Sequence, residues 1–359
     1  MHTMKHLCFT SLREQMSENF NKVKDWRHDK KVISIHDAIM SGFACMFFQE
    51  PSLLRFQIRM QDEEKRNNFN SLFDVKNLPR ETQMRDIIDL VDSEHFRPVF
   101  KNWYQRLQRG KQLEQYQAFS GLYYFPIDGS EFYSSNKIHC KQCLHKEHEN
   151  GVLTHSHQIL QGGIMHPDCS EVIPFMPEQI VNSDGADKQD CEINAAKRYI
   201  KKLSRDFPQL GFIIGGDDLF SREPLIQEIK ELGMHFIFTA KPTSHKYMME
   251  WLAAYPALNR DSFTDKKGRI HVYEWMNEVP LTGKKDPVVV NFFRCTIIGT
   301  DKKGKEKVVY KNNWVTDLGI NTHNIRMFVK TGRCRWKVES APQAQKKEVY
   351  HEDELRACA

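Results

Sequence analysis

The spacing of apolar positions changes along the chain, and each change marks a change of element type. In ETQMRDIIDLVD (81–92), Met84, Ile87, Ile88 and Val91 recur three or four residues apart, which places them on one face of an α-helix. In SEHFRPVFKNWYQRLQRG (93–110), Phe96, Phe100, Trp103 and Leu107 repeat that spacing, with Ser93 before the run and Gly110 after it as boundaries. Residues 1 to about 115 are therefore expected to be helical, with these stripes as packing faces. From about residue 118 the texture becomes strand-like. GLYYFPIDGSEFYSS (121–135), HQILQGGIM (157–165) and EVIPFMP (171–177) are short apolar or aromatic runs separated by turn residues. DCEINAAKRYIKKLSRDF (190–207) returns to helical spacing, with Ile193, Ala196, Ile200 and Leu203 on one face. A strand (LGFIIGG, 210–216), a helix (EPLIQEIKELG, 223–233) and a strand (HFIFTAK, 235–241) follow.

Several strands followed by helix, strand, helix and strand predict an α/β domain around a mixed sheet. Residues 245–322 break that rhythm. RIHVYEW, PVVVNFFRCTIIGT and EKVVYKNNWVTDL predict strands joined by basic turns, and are expected to form a β-rich insertion. A final helix over 323–339 rejoins the main domain, and residues 340–359 form a polar tail without an apolar face. The expected division is thus a helical region (1–115), the first part of the core (116–244), the insertion (245–322), the last core helix (323–339) and the tail.

Composition adds limits more than it adds function. Lys and Arg total 52 against 47 Asp and Glu, a balance of +5 that neither requires nor excludes nucleic-acid binding. The local basic runs DKKGR (265–269) and DKKGKEKVVYK (301–311) suit either solvated hairpin tips or phosphate contacts. Nine cysteines are scattered irregularly behind a start that lacks a secretory pattern, so free thiols in a reducing cytoplasm are expected. The most apolar helical stretch, AIMSGFACMFF (38–48), is shorter than the roughly 20 apolar residues a bilayer span needs, so no membrane partner is expected. No Gly-rich phosphate loop with its lysine is present, which disfavours an ATP-driven enzyme.

The chemistry-bearing candidates are acids at strand ends. Asp217 and Asp218 follow the apolar run LGFIIGG, and Asp128 follows LYYFPI, beside a glycine (Gly129) that admits close approach to the backbone. Each acid alone reads equally as a turn or helix cap. If the two strands are neighbours, Asp128 and Asp217 face one another. Two like charges about 4 Å apart cost on the order of 4 kcal/mol at an intermediate dielectric. A divalent cation removes that repulsion, and oxygen ligands suit magnesium. A third acid, Glu339, lies on the last helix, one turn after Arg335. Separately, CKQCLHKEHENGVLTHSHQ offers Cys140, Cys143, His148 and His157 as a candidate zinc set, although free thiols and surface histidines on a polar turn explain the same residues.

Taken in order, DGSEFYSSNKIHCKQCL, HQILQGGIMHPD, KQDCEINAAKR, GDDLFSREP, FIFTAKPTSHKY and RCRWKVE resemble the DDE transposases of bacterial insertion sequences, as does TQMRDIID in the N-terminal region. The resemblance spans roughly residues 10–339. It implies a ribonuclease-H-like mixed sheet with flanking helices and a β-rich insertion between the second and third acids. It implies Asp128, Asp217 and Glu339 as catalytic ligands of two Mg²⁺ ions, with Mn²⁺ as a substitute, and leaves Asp218 as a turn or outer residue. The chemistry implied is cleavage and strand transfer at DNA phosphodiesters, with terminal inverted repeats and target DNA as partners and a homodimer assembled on DNA. A bacterial cytoplasmic, nucleoid-associated location follows from it. Lys241, His245 and Arg335 are the candidate DNA-phosphate contacts, with a helix salt bridge as the other reading of Arg335.

The sequence departs from that family at its end. The signature Tyr-x2-Arg-x3-Glu-x6-Lys is met by Arg335, Glu339 and Lys346, but Gly332 stands at the tyrosine position and Pro342 follows closely. The resemblance stops at Glu339, as expected of a truncated or frameshifted copy. A non-catalytic DNA-binding remnant and a metal-dependent nuclease are the alternative readings.

Overall fold

The computed structural model describes residues 5–27, 31–181, 191–255, 257–301 and 304–338. Its N-terminal part is helical: α1 (Phe9–Phe20), α2 (Ile35–Phe47), α3 (Leu53–Arg59), α4 (Glu63–Phe73), α5 (Glu81–Ile88) and α6 (Arg97–Arg109). These helices enclose a core of their own around Phe56, Phe69 and Phe73, to which Met84 and Ile87 of α5 contribute. Helix α6 departs from its expected face. Phe96, Phe100, Trp103 and Leu107 are only half-buried, and Val99 and Tyr104 are the fully buried positions. The reason is that α6 sits between two cores. Val99 enters the helical core, while Tyr104 enters the core of the sheet and donates its hydroxyl to the Ile173 carbonyl at 3.0 Å.

The rest of the chain builds one 12-stranded mixed sheet with helices on both faces. Its elements are β1 (Gln117–Phe119), β2 (Leu122–Ser135), β3 (Leu144–Glu147), β4 (Leu153–Ile164), β5 (Ile173–Pro174), β6 (Glu178–Ile180), α7 (Glu192–Asp206), β7 (Gly211–Gly216), α8 (Glu223–Glu231), β8 (His235–Thr239), α9 (Lys246–Ala253), β9 (Asn259–Thr264), β10 (Ile270–Pro280), β11 (Val289–Thr300), β12 (Glu306–Thr316) and α10 (Ile325–Arg333). Strand β2 pairs antiparallel with β4, which carries β6 and β3 on its outer edge, and parallel with β7, which pairs parallel with β8. This succession, β6-β4-β2-β7-β8, is the ribonuclease-H-like α/β arrangement expected from the sequence.

Alternation along the central strands explains why the sheet is covered twice. Tyr123, Phe125 and Ile127 of β2, Phe212 and Ile214 of β7, and Phe236 and Phe238 of β8 enter one core, with α7, α8 and α9 over it. Tyr124, Ile213 and Ile237, the intervening residues, enter the other with Ile325, Phe328 and Val329 of α10. Strands buried on both faces read as continuous apolar runs, as LYYFPI and FIIGG do.

Strands β9–β12 do not form a separate sheet. Strand β12 pairs antiparallel with β8 through Trp314↔Thr239, Val315↔Phe238 and Thr316↔Ile237, so the four strands extend the core sheet at its β8 edge. Only the end of β12 is so paired. The stretch from Glu306 to Asn312 runs past the end of β8, about 20 Å at strand rise. The basic runs cap the hairpins β9–β10 and β11–β12 at that projecting end, with Lys266, Lys267, Lys305 and Lys307 exposed. Among the described residues no helix is long and apolar enough to cross a membrane.

Candidate carboxylate site and thiol cluster

Strand β7 stops at Gly216, whereas β2 continues with β4 alone, so the sheet has a step at this point. The last paired residues are Pro126 and Gly215, two positions before Asp128 and Asp217 respectively. Asp217 therefore follows the end of β7, whereas Asp128, expected to follow its strand, lies inside the longer β2 at the same level, where strands lie about 4.8 Å apart. Both also share the parity of Tyr124 and Ile213, which face α10. Asp128 is half-buried, and its carboxylate lies 3.5 Å from the Arg335 guanidinium, which arrives from the turn just after α10. That segment is tied down by Lys337, whose ammonium donates to the carbonyls of His166 and Cys169 at 2.9 and 2.6 Å. Glu339 lies outside the described residues.

Asp217 and Asp218 divide the two roles that their position suggests. Asp217 is half-buried, and one carboxylate oxygen accepts the Leu219 N–H at 2.9 Å, so it does shape the turn. Asp218 is the buried one. It accepts the Lys241 N–H at 2.5 Å and lies 3.5 Å from His245 and 3.6 Å from Arg222. It braces the end of β7 against the end of β8, and its cost of burial is met by those partners.

A further carboxylate reaches the same place. Glu192, the first residue of α7, is half-buried, and its pKa is raised by burial and then by the negative charges of Asp128 and Asp217. It packs directly over Gly129, where a methyl group would collide with the Glu192 carboxylate. The glycine after Asp128 is thus what lets a side chain from the opposite face of the sheet come alongside the two acids.

The three expected phosphate contacts have different surroundings. Lys241 is exposed at the end of β8, beside the step. His245 is not available to a phosphate: it is buried, and its Nε2 is 2.7 Å from the Ser221 hydroxyl. Burial lowers its pKa more than the Asp218 charge raises it, and its hydrogen bond makes it a brace between segments. Arg335 reaches Asp128 of β2, an ion pair between distant segments and not one within its own helix. Gly332 of α10 lies against the Trp314 indole of β12. A side chain at Gly332 would meet its ring nitrogen at 2.8 Å.

Of the four candidate zinc ligands, three come together. Cys140 and Cys143 lie in the loop between β2 and β3, and His157 lies on β4 opposite Tyr133. His148 does not join them, because its Nε2 is turned to the Thr154 hydroxyl at 2.9 Å.

No family model matches the chain, and no curated protein does. Among solved structures, the NurA nuclease from Sulfolobus solfataricus is similar over 71% of this chain and 92% of its own, with 10% identity and a TM-score of 0.28.

Glu192 is the residue that sequence reasoning missed. An acid in the first turn of a helix is ordinarily read as a complement to the helix dipole. Its signal was split between two places, a glycine directly after a strand-end aspartate and an acid opening the next long helix, and nothing local joins them.

Proposed function

We propose that the chain is a metal-dependent DNA-processing enzyme of the DDE transposase type, acting on phosphodiesters at the step in its sheet. The observation that carries this reading is the convergence of Asp128, Asp217 and Glu192 at the step where β7 ends beside the continuing strand β2. The ordered sequence motifs supply the reaction class. The donors fit the group implied: all are carboxylate oxygens, the ligand type preferred by Mg²⁺ and Mn²⁺, and their mutual repulsion is what a divalent cation offsets. Glu339, by the resemblance, adds a fourth carboxylate from the segment after α10.

When bound, divalent cations supply an activated water or 3′-hydroxyl and offset charge on the departing oxygen. The protein's own residues hold the ligands and the DNA. Asp128 and Asp217 are fixed by the β2–β7 register, Glu192 by α7 resting over Gly129, and Arg335 offsets the charge of Asp128. Lys241 and the projecting β9–β12 hairpins offer phosphate contacts on the same end of the sheet, because β12 runs antiparallel to β8 and overhangs its C-terminal end. A dimer on DNA belongs to this proposal through the resemblance alone.

The test is an assay with supercoiled DNA and with the DNA sequences that flank the gene, in Mg²⁺ or Mn²⁺. Joined products support a transposase, and nicks without joining support a nuclease of the same site. Wild-type cleavage equal to that of Asp217→Asn protein contradicts catalysis here, and DNA binding without any cleavage supports the remnant reading.

A further inference from the structure

The outer half of the β2–β4 hairpin overhangs the step in the sheet, and its loop carries a group of side chains that the carboxylate chemistry does not use. Cys140 Sγ and Cys143 Sγ are 3.8 Å apart, and His157 Nε2 lies 3.3 Å from the first sulfur and 3.4 Å from the second. These are not the distances of a disulfide, whose sulfurs are about 2.05 Å apart. They are close to those imposed by one tetrahedral ion. With Zn–S near 2.3 Å and Zn–N near 2.0–2.1 Å, two sulfurs lie about 3.8 Å apart and a sulfur–nitrogen pair about 3.5 Å apart. Pairwise thiol hydrogen bonds bring two atoms together. A closed triangle of three donors is what a shared cation requires.

The surroundings hold the donors in place. The Cys140 N–H points at Cys143 Sγ at 3.3 Å, and the Gln142 N–H at Cys140 Sγ at 3.4 Å, so backbone dipoles face both sulfurs. Cys143 is fully buried. The His157 ring contacts Phe132 and Tyr133, with ring centroids 5.9 and 5.7 Å away. The Tyr133 hydroxyl closes the loop by donating to the Ile138 carbonyl at 2.7 Å.

We propose that Cys140, Cys143 and His157 bind one Zn²⁺ ion, with solvent as the fourth ligand, and that this ion fastens the loop of residues 136–143 to β4. His145 and His155 are engaged with one another, their Nδ1 atoms 2.8 Å apart, and His148 with Thr154, so among the described residues no fourth side chain joins the three. The site is distinct from the carboxylates. His157 lies four residues along β4 from Gln161, the partner of Asp128, which is about 13 Å at strand rise. Its two thiolates and imidazole select a softer metal than magnesium.

The experiment uses the full chain, purified under reducing conditions, dialysed free of loose metal and analysed for zinc by mass spectrometry. The expected result is one zinc per chain in the wild type and in His148→Ala, and background levels in Cys143→Ser and in His157→Ala. Cobalt(II) exchanged into the wild type, which needs no variant to fold, is expected to show an intense thiolate charge-transfer band and the strong visible bands of a tetrahedral ion. Chelation is expected to make two further thiols reactive to a thiol reagent. A wild type that holds no stoichiometric zinc, cobalt bands of a weak octahedral kind, or zinc retained by the Cys143→Ser protein would each overturn the proposal. Loss of zinc from His148→Ala would overturn the three-residue ligand set.

Discussion

At the scale of single residues, adjacent acids with the same side chain do different work because their surroundings differ. Asp218 is buried and answers a backbone N–H that would otherwise be orphaned, so Asp218→Ala is expected to lower stability by about 1–3 kcal/mol, measured by chemical unfolding. Asp217→Asn keeps the shape and the acceptor for Leu219. It is expected to leave the unfolding midpoint unchanged while removing cleavage, and a stable but fully active Asp217→Asn protein would contradict the assignment. Gly129→Ala is the third residue-scale test. The added methyl displaces the Glu192 carboxylate, and misplacement by about 1 Å at a reacting centre costs on the order of 100-fold in rate. Cleavage by Gly129→Ala at the wild-type rate would separate Glu192 from the chemistry.

At the scale of elements, much of the fold was legible. Helix α7, strand β7, helix α8 and strand β8 declare themselves by period, because each buries a regular stripe or a continuous run. Less legible was how elements combine. The shift of the buried face of α6 to Val99 and Tyr104 follows from its place between two cores, which no local pattern encodes. Likewise the β-rich insertion was legible, but that its strands β9–β12 extend the main sheet was not, because an edge strand does not announce its partner and only the β12–β8 register shows it. The helical region is fastened to α7 by charges as well as by apolar contact. Glu94 meets Arg97 and Lys202, Arg97 also meets Asp206, and Lys202 also meets Glu178. The Arg97 hydrogen bond, chiefly, holds the Glu94 carboxyl down at about 2, below the ordinary 4.5. A folded-state pKa below the unfolded one stabilises the fold above pH 4.5, and that contribution fades as pH falls from 4.5 toward 2. Glu94 is partly exposed, so the effect is small. Glu94→Gln is expected to flatten the acid limb of the unfolding midpoint against pH, and superimposable acid limbs would contradict this link. At the other end of the molecule, Gly332→Ala drives a methyl into the Trp314 indole and is expected to cost about 1–3 kcal/mol.

At the scale of the whole molecule, the architecture gathers its chemistry on one end of the sheet. Asp217 and Lys241 follow β7 and β8 there, Asp128 projects from β2 at the same level, and the overhanging β9–β12 strands carry exposed lysines beyond them. Replacing Lys266, Lys267, Lys305 and Lys307 together by alanine is expected to weaken DNA binding. The slope of log affinity against log salt is expected to fall by about 0.9 for each phosphate that the variant no longer neutralises. Anisotropy titrations over a salt series measure both, and an unchanged slope would make these turns plain solvated hairpin tips. The candidate site was legible only in part. Asp128 and Asp217 stood out as acids ending apolar runs, and the cysteine pair stood out by spacing. Glu192, the exclusion of His148 and the burial of His245 depend on three-dimensional packing between segments distant in sequence. The acids at the step act as one ligand set in this account, and titration of Mn²⁺ followed by its paramagnetic resonance signal measures this without DNA. The expected result is that Asp128→Asn, Asp217→Asn and Glu192→Gln each weaken Mn²⁺ binding tenfold or more at unchanged unfolding midpoint. Equal Mn²⁺ affinity in the wild type and in Asp217→Asn would contradict it.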